Sequence, residues 1–588
     1  MCGIAGMMTT DGAPPPSAAL EKMTAALRHR GPDGQGAYAK ADTAFIQTRL
    51  AIIDLKTGDQ PLYEPKGAAL VANGEIYNYV ELRAAMKDTA FKTQSDCEPV
   101  LYLYRRHGLD FAEHLRGMYA IALHDPARGH LVLARDPFGI KPLYYAETEQ
   151  GFVFASEPQA LIASGLIAAK HSEAARNELL QLQFTTGRDT IFENIRRVLP
   201  GETLCIKQGR IKEQRRIGAL PGGGPIAIDD EYARASLDRV LQDSVHIHQR
   251  ADVPYGMFLS GGIDSSAVLA MMARLNEHPV HAFTIGFSGT GAKDERELAR
   301  EVARSLGAKH TEVDFSEEDF WQLLPKVAIA MDDPAADYAT LPTFKLAAAV
   351  RAAGLKVILS GEGGDELFGG YGRYRSFMRP WWLGGRRMRR RGTFDGLGIL
   401  RKNLSGWRKG MREVEREAKK EGRTRLQIAQ ASDCADWLPN DLLTKLDRCL
   451  MAHGIEGRTP FLDPEVGAFA FALPDRMKVN RGLGKYILRE WLAERAPAAA
   501  PFSKKRGFTV PVGEWIARRG AEIGPLVAAQ ECMREIAHPD AVEKLFCAAD
   551  RKRAGFAVWS LLFYALWHKF HIEGGAQEGD LCAILARN

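Results

Sequence analysis

The chain has 588 residues, 46% of them apolar and 26% charged, with a formal net charge of +5. That length exceeds one hydrophobic core and points to several domains, and the composition excludes a disordered or fibrous protein. So small a charge makes no case for nucleic acid by itself, and no apolar run approaches the ~18 residues of a membrane span.

In chain order, the sequence opens Met1-Cys2-Gly3-Ile4-Ala5-Gly6. Once Met1 is removed, Cys2 holds a thiolate nucleophile and, in its own α-amine (unperturbed pKa near ~8), the base for it. On these residues alone, an ordinary buried cysteine is an equal reading. No basic stretch followed by a long apolar one marks a secretory leader. Eight cysteines without C-x-x-C pairing fit neither a disulfide framework nor structural zinc, so the expected compartment is the reducing cytoplasm.

Up to about residue 200, short alternating runs predict strands at Thr43 to Leu50, Ala68 to Asn73, Tyr119 to His124, His130 to Ala134 and Gly151 to Ala155. Helices are predicted at Ser17 to His29 and Glu98 to His107, which together give an α+β sandwich. Pro221-Gly222-Gly223-Gly224-Pro225 reads as a linker. From Asp229 long helices alternate with apolar strands at Val253 to Leu259, His281 to Phe287 and Leu355 to Leu359, the texture of an α/β unit with a parallel sheet. After about Gly370 the chain reads as mostly helical. The basic stretch Arg386 to Arg425 is suited to phosphates or an anionic membrane surface, but acids interleaved from Glu413 to Glu421 favour a solvated helical insertion.

Two glycine loops carry the chemistry of this half. The first strand runs into Ser260-Gly261-Gly262-Ile263-Asp264-Ser265-Ser266 and then a helix, so that N–H groups and hydroxyls converge on an anion while Asp264 offers a carboxylate to Mg²⁺. No Walker-type lysine follows, which disfavours γ-phosphate transfer. The loop resembles the pyrophosphate loop of enzymes that split ATP into AMP and pyrophosphate. The second is Ser360-Gly361-Glu362-Gly363-Gly364-Asp365-Glu366, at the end of the strand closing on Leu359, where open α/β sheets bind ligands.

Together these loops resemble the synthetase domain of glutamine-dependent asparagine synthetases. The resemblance implies Mg²⁺ and pyrophosphate on Asp264 and Asp365, and an AMP site at Leu259, Ile285, Ser360 and Gly361. It also implies Glu362 as the acid/base during ammonia attack. Further matches are Gly457-Arg458-Thr459-Pro460-Phe461-Leu462-Asp463, Gly484-Lys485-Tyr486-Ile487-Leu488-Arg489, and Lys504-Lys505-Arg506-Gly507-Phe508 with Pro511 and Trp515. Arg458 and Lys485 are candidates for stabilising the departing pyrophosphate, since positioned cations act where charge develops.

The N-terminal half is similar to a class II glutamine amidotransferase domain, an N-terminal-nucleophile sandwich. Its matches are His29-Arg30-Gly31-Pro32-Asp33, Arg49-Leu50-Ala51-Ile52-Ile53-Asp54, Asn73-Gly74-Glu75-Ile76-Tyr77-Asn78 and Ser95-Asp96-Cys97-Glu98. Arg49 suits the glutamine carboxylate, Asp96 and Glu75 its ammonium, and Asn73 with the Gly74 N–H the oxyanion. The resemblance covers the whole chain: a glutaminase domain at 1–215, a linker at 216–228 and a synthetase domain at 229–588.

The implied reaction uses glutamine, ATP and L-aspartate, with ammonia passing internally between two sites. A sugar-isomerase or phosphoribosyl partner module is disfavoured by the Ser260 loop. A β-lactam-forming relative is disfavoured by Cys2, Arg49, Asn73 and Asp96, and a non-catalytic binding protein by intact motifs. The window Met331-Asp332-Asp333-Pro334-Ala335-Ala336-Asp337-Tyr338-Ala339-Thr340-Leu341-Pro342 lacks the arginine of the family's Ile-Arg-Ala-Ser stretch. A different carboxylate, on a cell-envelope sugar or peptide, is therefore the alternative acceptor. No nucleic acid or membrane-span partner is expected; homodimers are common in the family.

Overall fold

The computed structural model describes residues 2–288, 294–503, 510–575 and 578–587. Small and branched apolar residues make Cys2–Thr9 a strand buried along its whole length. It lies within an antiparallel sheet ordered Arg196–Arg197, Tyr144–Glu147, Gly151–Ala155, Cys2–Thr9, Thr43–Arg49 and Gly34–Lys40. A second sheet runs Arg210–Arg216, Glu202–Lys207, His130–Arg135, Gly117–Asp125, Ala69–Ile76 and Leu62–Tyr63. Successive strand side chains point to opposite faces. Ile4, Met8, Phe45, Val71 and Ala120 therefore form the core between the sheets. Ala5, Met7 and Ile46 face outward with Met23 and Leu27 of helix Ser17–Leu27, while Leu70 and Ala72 face Val100 and Tyr104 of helix Glu98–His107. Helix, sheet, sheet, helix is the N-terminal-nucleophile sandwich.

The helix Asp230–His248 opens the second half, capped by the Asp229 carboxylate, which accepts from the Glu231 and Tyr232 amides at 3.0 Å. Its parallel sheet runs Lys309–Asp314, His281–Gly286, Tyr255–Phe258, Val357–Leu359 and Glu456–Arg458. The strand first in sequence is central. The next two extend the sheet on one side and the last two on the other, so the loops after Phe258 and Leu359 part at the switch point where such sheets bind ligands. Met257, Val357 and Leu359 pack on one face, Phe283, Ile285 and Ile358 on the other, which is why the strands read as continuous apolar runs.

Several elements depart from the sequence reading. Lys309–Asp314 is a polar edge strand that hydrophobic pattern does not mark, and Glu456–Arg458 is an edge strand within the mostly helical part. The basic stretch is not one helical insertion. Its arginine-rich start, Arg386 to Arg391, is neither helix nor strand, and the interleaved acids Glu413, Glu415 and Glu417 belong to a separate helix, Lys409–Ala418. Among the described residues no helix is long and apolar enough to cross a membrane.

The two halves meet along a buried, charge-paired seam. Arg30 pairs Glu157 at 2.6 Å and Asp447 at 2.8 Å; Arg448 pairs Asp332 at 2.7 Å; Arg116 pairs Asp463 at 2.8 Å. Asp332 and Asp333 of the acceptor window belong to this seam, Asp333 pairing Arg197 at 2.8 Å.

Candidate active sites

Strand alternation turns Cys2, Gln47, Arg49, Asn73 and Glu75 toward the space between the two antiparallel sheets, at one end of the sandwich. Cys2 and Arg49 are register partners. Cys2 is 7% exposed. Its backbone N–H donates to Asn73 Oδ1 at 3.1 Å, and Gln47 Nε2 donates to Sγ at 3.1 Å. Met1, whose removal frees the α-amine, lies outside the described residues. Burial pushes the thiol up, against the pull of the chain's terminal ammonium and Arg49. A thiol held protonated needs a base before it attacks.

Asn73 Nδ2 is buried without a hydrogen-bond partner. An unspent amide N–H beside a thiol is the kind of donor an oxyanion requires. Gly74 follows with φ +152, and a Cβ there would lie 2.0 Å from Met118 O, so the backbone at this point is open to glycine alone.

Arg49 is engaged within the chain: it donates to Asp59 Oδ1 at 2.6 Å and to Asp54 O at 2.6 Å. The exposed Asp59 must yield for a ligand carboxylate to take the guanidinium. Of the residues after it, the Ala51 amide donates to Asp33 Oδ2 at 2.9 Å, and Leu50, Ile52 and Ile53 are buried against the second half of the chain. Asp96 accepts from the Ile76 amide at 2.7 Å. Burial raises both Asp96 and Glu75, and Glu75 lies 3.6 Å from Arg458.

The second site is a cavity of about 400 Å³ at the switch point. All the predicted nucleotide-binding residues line it except Gly261 and Ser266. Gly261 shapes the loop through φ +67, and Ser266 is buried beneath it. Ser260 and Ser265 hydroxyls meet at 3.1 Å, and Ser265 Oγ donates to Gly262 O at 3.2 Å, which fixes the loop at the start of helix Ile263–Leu275. Lys485, almost fully buried, bridges Asp365 at 2.8 Å and Asp264.

Glu362 lines the same cavity, and burial, reinforced by Asp337, Asp365 and Asp264, raises its carboxyl against the pull of Lys445. Glu366 is pushed up to about 8 by burial and accepts from Tyr371 Oη at 2.7 Å.

Arg458 requires a correction. It is not with Lys485 at the pyrophosphate loop but fully buried at the seam, donating to Glu456, to His248 O at 2.8 Å and to Arg250 O at 2.7 Å. Its strand runs beside Val357–Leu359, yet its side chain turns to Glu75 of the N-terminal half. In the third motif Lys504 to Phe508 lie outside the described residues, and Trp515 is a core residue packed on Phe315 and Phe320.

Sequence reasoning missed Gln47, Arg30 and Lys445. Gln47 stands two residues before Arg49 and so shares its strand face. Arg30 sits inside a motif already singled out, and also donates to Cys2 O at 3.2 Å. Lys445 rises from helix Leu443–Met451 into the nucleotide cavity, 2.9 Å from Asp337 and 4.0 Å from Glu362. A lysine set among Leu442, Leu443 and Leu446 was the available signal.

A model described as glutamine amidotransferase domain matches residues 1–216, and one described as asparagine synthase matches residues 236–569. Glutamine-hydrolyzing asparagine synthetase 1 of Bacillus subtilis (strain 168) is 32% identical over 603 residues, covering 94% of each chain. Glutamine-hydrolyzing asparagine synthetase B of Escherichia coli (strain K12) is 30% identical over 540 residues, covering 88% of this chain and 83% of its own. Among solved structures, the glutamine phosphoribosylpyrophosphate amidotransferase from B. subtilis matches 53% of this chain and 81% of its own, at 17% identity and a TM-score of 0.29. With a glutamine amidotransferase domain ahead of its synthase part, the chain belongs to the asparagine synthase family.

Proposed function

We propose that the chain is a glutamine-hydrolysing asparagine synthetase, making L-asparagine, L-glutamate, AMP and diphosphate from L-aspartate, L-glutamine, ATP and water. The observation that carries the reading is the presence in one chain of a buried thiol beside an unspent amide and of a nucleotide-sized cavity holding Glu362. The α-amine of Cys2 takes the thiol proton, and Sγ attacks the glutamine amide carbon. Asn73 Nδ2 and the Gly74 N–H hold the oxyanion. The C–N bond breaks as the amine returns its proton, ammonia leaves, and water releases glutamate from the thioester.

In the second site an oxygen of the acceptor carboxylate attacks the α-phosphorus of ATP, and diphosphate departs. Ammonia, passed internally from the first site, attacks the β-aspartyl-AMP carbonyl. Glu362 takes the proton it sheds, and AMP leaves with the C–O bond pair.

Asp264 and Asp365, side by side on Lys485, fit Mg²⁺, which binds through one or two carboxylates plus phosphates. When bound, it neutralises charge on the phosphates. We take 1–215 as the glutaminase domain, 216–228 as the linker and 229–588 as the synthetase domain, in a cytoplasmic enzyme.

One observation favours a second acceptor. Lys445 is the only cationic side chain among the described residues lining the cavity, and it is spent on Asp337. A carboxylate lacking the second acid group of aspartate, such as one on an envelope sugar or peptide, makes less demand on it. The test is diphosphate release from purified protein with Mg-ATP and glutamine, with and without L-aspartate. Strict dependence on aspartate with matching asparagine supports the first reading. Glutaminase activity without aspartate-stimulated diphosphate overturns it in favour of the second.

A further inference from the structure

Among the described residues the turn Trp381–Leu383 is the most exposed apolar feature. Trp381 is 84% exposed, Trp382 67% and Leu383 56%, three in succession. The turn is nonetheless formed. Leu383 and Gly385 amides donate to Pro380 O at 3.0 and 2.9 Å, Gly384 donates to Trp381 O at 3.1 Å, and Arg386 donates to Ser376 O at 3.0 Å. It is also anchored from below. Met388 is buried with Tyr374, Phe377 and Leu426, and the Arg389 guanidinium stacks on Trp437 at 4.6 Å and Phe184 at 5.1 Å.

Around this tip the sequence from Arg379 to Arg391 holds six arginines and no acid. Arg379, Arg386, Arg387, Arg390 and Arg391 are exposed, and none makes an ion pair within the described residues. Of the acids in the wider basic stretch, Glu413, Glu415 and Glu417 are on helix Lys409–Ala418 and Asp395 and Glu421 outside it, all beyond this run.

An apolar tip without a surrounding wall does not select a shaped protein groove. Tryptophan combines a large apolar body with one N–H donor, a combination enriched where hydrocarbon meets water. Guanidinium groups pair bidentately with phosphate, and basic clusters collect on anionic leaflets. Stacking on nucleic acid bases accounts for two tryptophans but leaves Leu383 without a role. We propose that the Trp381–Leu383 turn and its arginines form a docking surface for an anionic lipid bilayer, the turn entering the headgroup layer while the guanidinium groups pair with lipid phosphates. Nothing in this proposal requires a spanning helix, and it stands apart from the identity of the acceptor.

The test is co-sedimentation of the full chain with phosphatidylcholine vesicles, with and without phosphatidylglycerol. The expected result is roughly tenfold stronger partitioning to the anionic vesicles, weakened by salt. The variant Trp381→Ser/Trp382→Ser should lose most of that binding while keeping its melting temperature and its diphosphate release from soluble substrates. Replacing Arg386, Arg387, Arg390 and Arg391 with Gln should remove the preference for anionic lipid. The proposal is overturned by equal binding to both vesicles, by no binding, or by a tryptophan variant that partitions like wild type. Retention on single-stranded DNA without vesicle binding would instead assign the patch to nucleic acid. Loss of a dimer in the tryptophan variant, again without vesicle binding, would assign it to a second copy of the chain.

Discussion

Under the proposed reaction, substitutions at Cys2, Glu362 and Lys445 should separate the two half-reactions. Cys2→Ala should abolish glutamine-dependent synthesis and leave ammonia-dependent synthesis at wild-type rate; loss of both would show that the sites are not separable. Glu362→Gln should suppress amide formation from either nitrogen source, by roughly 10²–10⁴-fold for a lost general acid/base, with glutaminase activity retained. Lys445→Met leaves Asp337 and Glu362 without their nearest cation. It should lower synthetase turnover at least ~10-fold without changing glutamine hydrolysis, and Lys445→Arg should restore part of it. Two separate assays, glutamate release and diphosphate release, read all three variants. Proposed site residues in short glycine-rich motifs, such as Asn73 and Ser260, were legible because backbone freedom and polar groups coincide there. Lys445 was not, because nothing in its own helix sequence sets it apart from an ordinary helix lysine; its partners Asp337 and Glu362 arrive from two other loops. Arg458 was misplaced for the converse reason: the motif around it is plain, but which face of an edge strand it occupies depends on the neighbouring domain.

Among elements, the predicted strands and helices with clear alternation or periodicity fall where the structure has them. Glu98–His107 and Gly151–Ala155 match at both ends. Strands that escaped, such as Arg210–Arg216 and Lys309–Asp314, are exposed edges whose polar residues carry no burial pattern. The strand Ala69–Ile76 illustrates what an element does for a site. Its odd residues point between the sheets and bring Asn73 and Glu75 to Cys2, while its even ones pack on helix Glu98–His107. Gly74→Ala would drive a methyl group into the Gly117–Asp125 strand. The expected outcome is a loss of glutaminase activity of about 10²-fold, the scale of one oxyanion donor, with ammonia-dependent synthesis spared. Equal loss in both assays would mean that the whole strand, and not the oxyanion donor, had been displaced.

Across the whole molecule the seam decides stability. Removing Arg30 takes the nearer of two shared cations from the buried Glu157 and Asp447, leaving them Arg448 at 3.5 and 3.2 Å. Arg30→Ala should therefore cost about 3 kcal/mol, the low end for a broken buried pair because Arg448 remains, read as a lower denaturant midpoint. The pH dependence follows the same pairs. Burial works against the charge on Asp447 and Glu157, yet Arg30 beside Asp447, and His29, Arg448 and Arg30 beside Glu157, hold both carboxyls below their usual range. Groups depressed in the folded state contribute fully above their unfolded values of ~4 and lose that contribution as the pH falls through the folded ones. Acid unfolding should thus steepen below pH ~4, and Arg30→Ala should flatten that limb. An unchanged acid limb would remove these pairs from the account.

Helix Leu443–Met451 has a further consequence. Lys445 reaches up to Glu362, and two residues on Asp447 holds Arg30, whose guanidinium also grips the carbonyl of Cys2. One helix thus lines the cavity of the second half through Lys445 and, through Asp447 and Arg30, reaches the strand of Cys2. Equilibrium thermodynamics then makes the conversation symmetrical. Whatever factor nucleotide and acceptor impose on glutamine affinity, glutamine must impose on theirs. Titrating each ligand in the presence of the other, in a Cys2→Ala protein that cannot turn glutamine over, should return one factor twice.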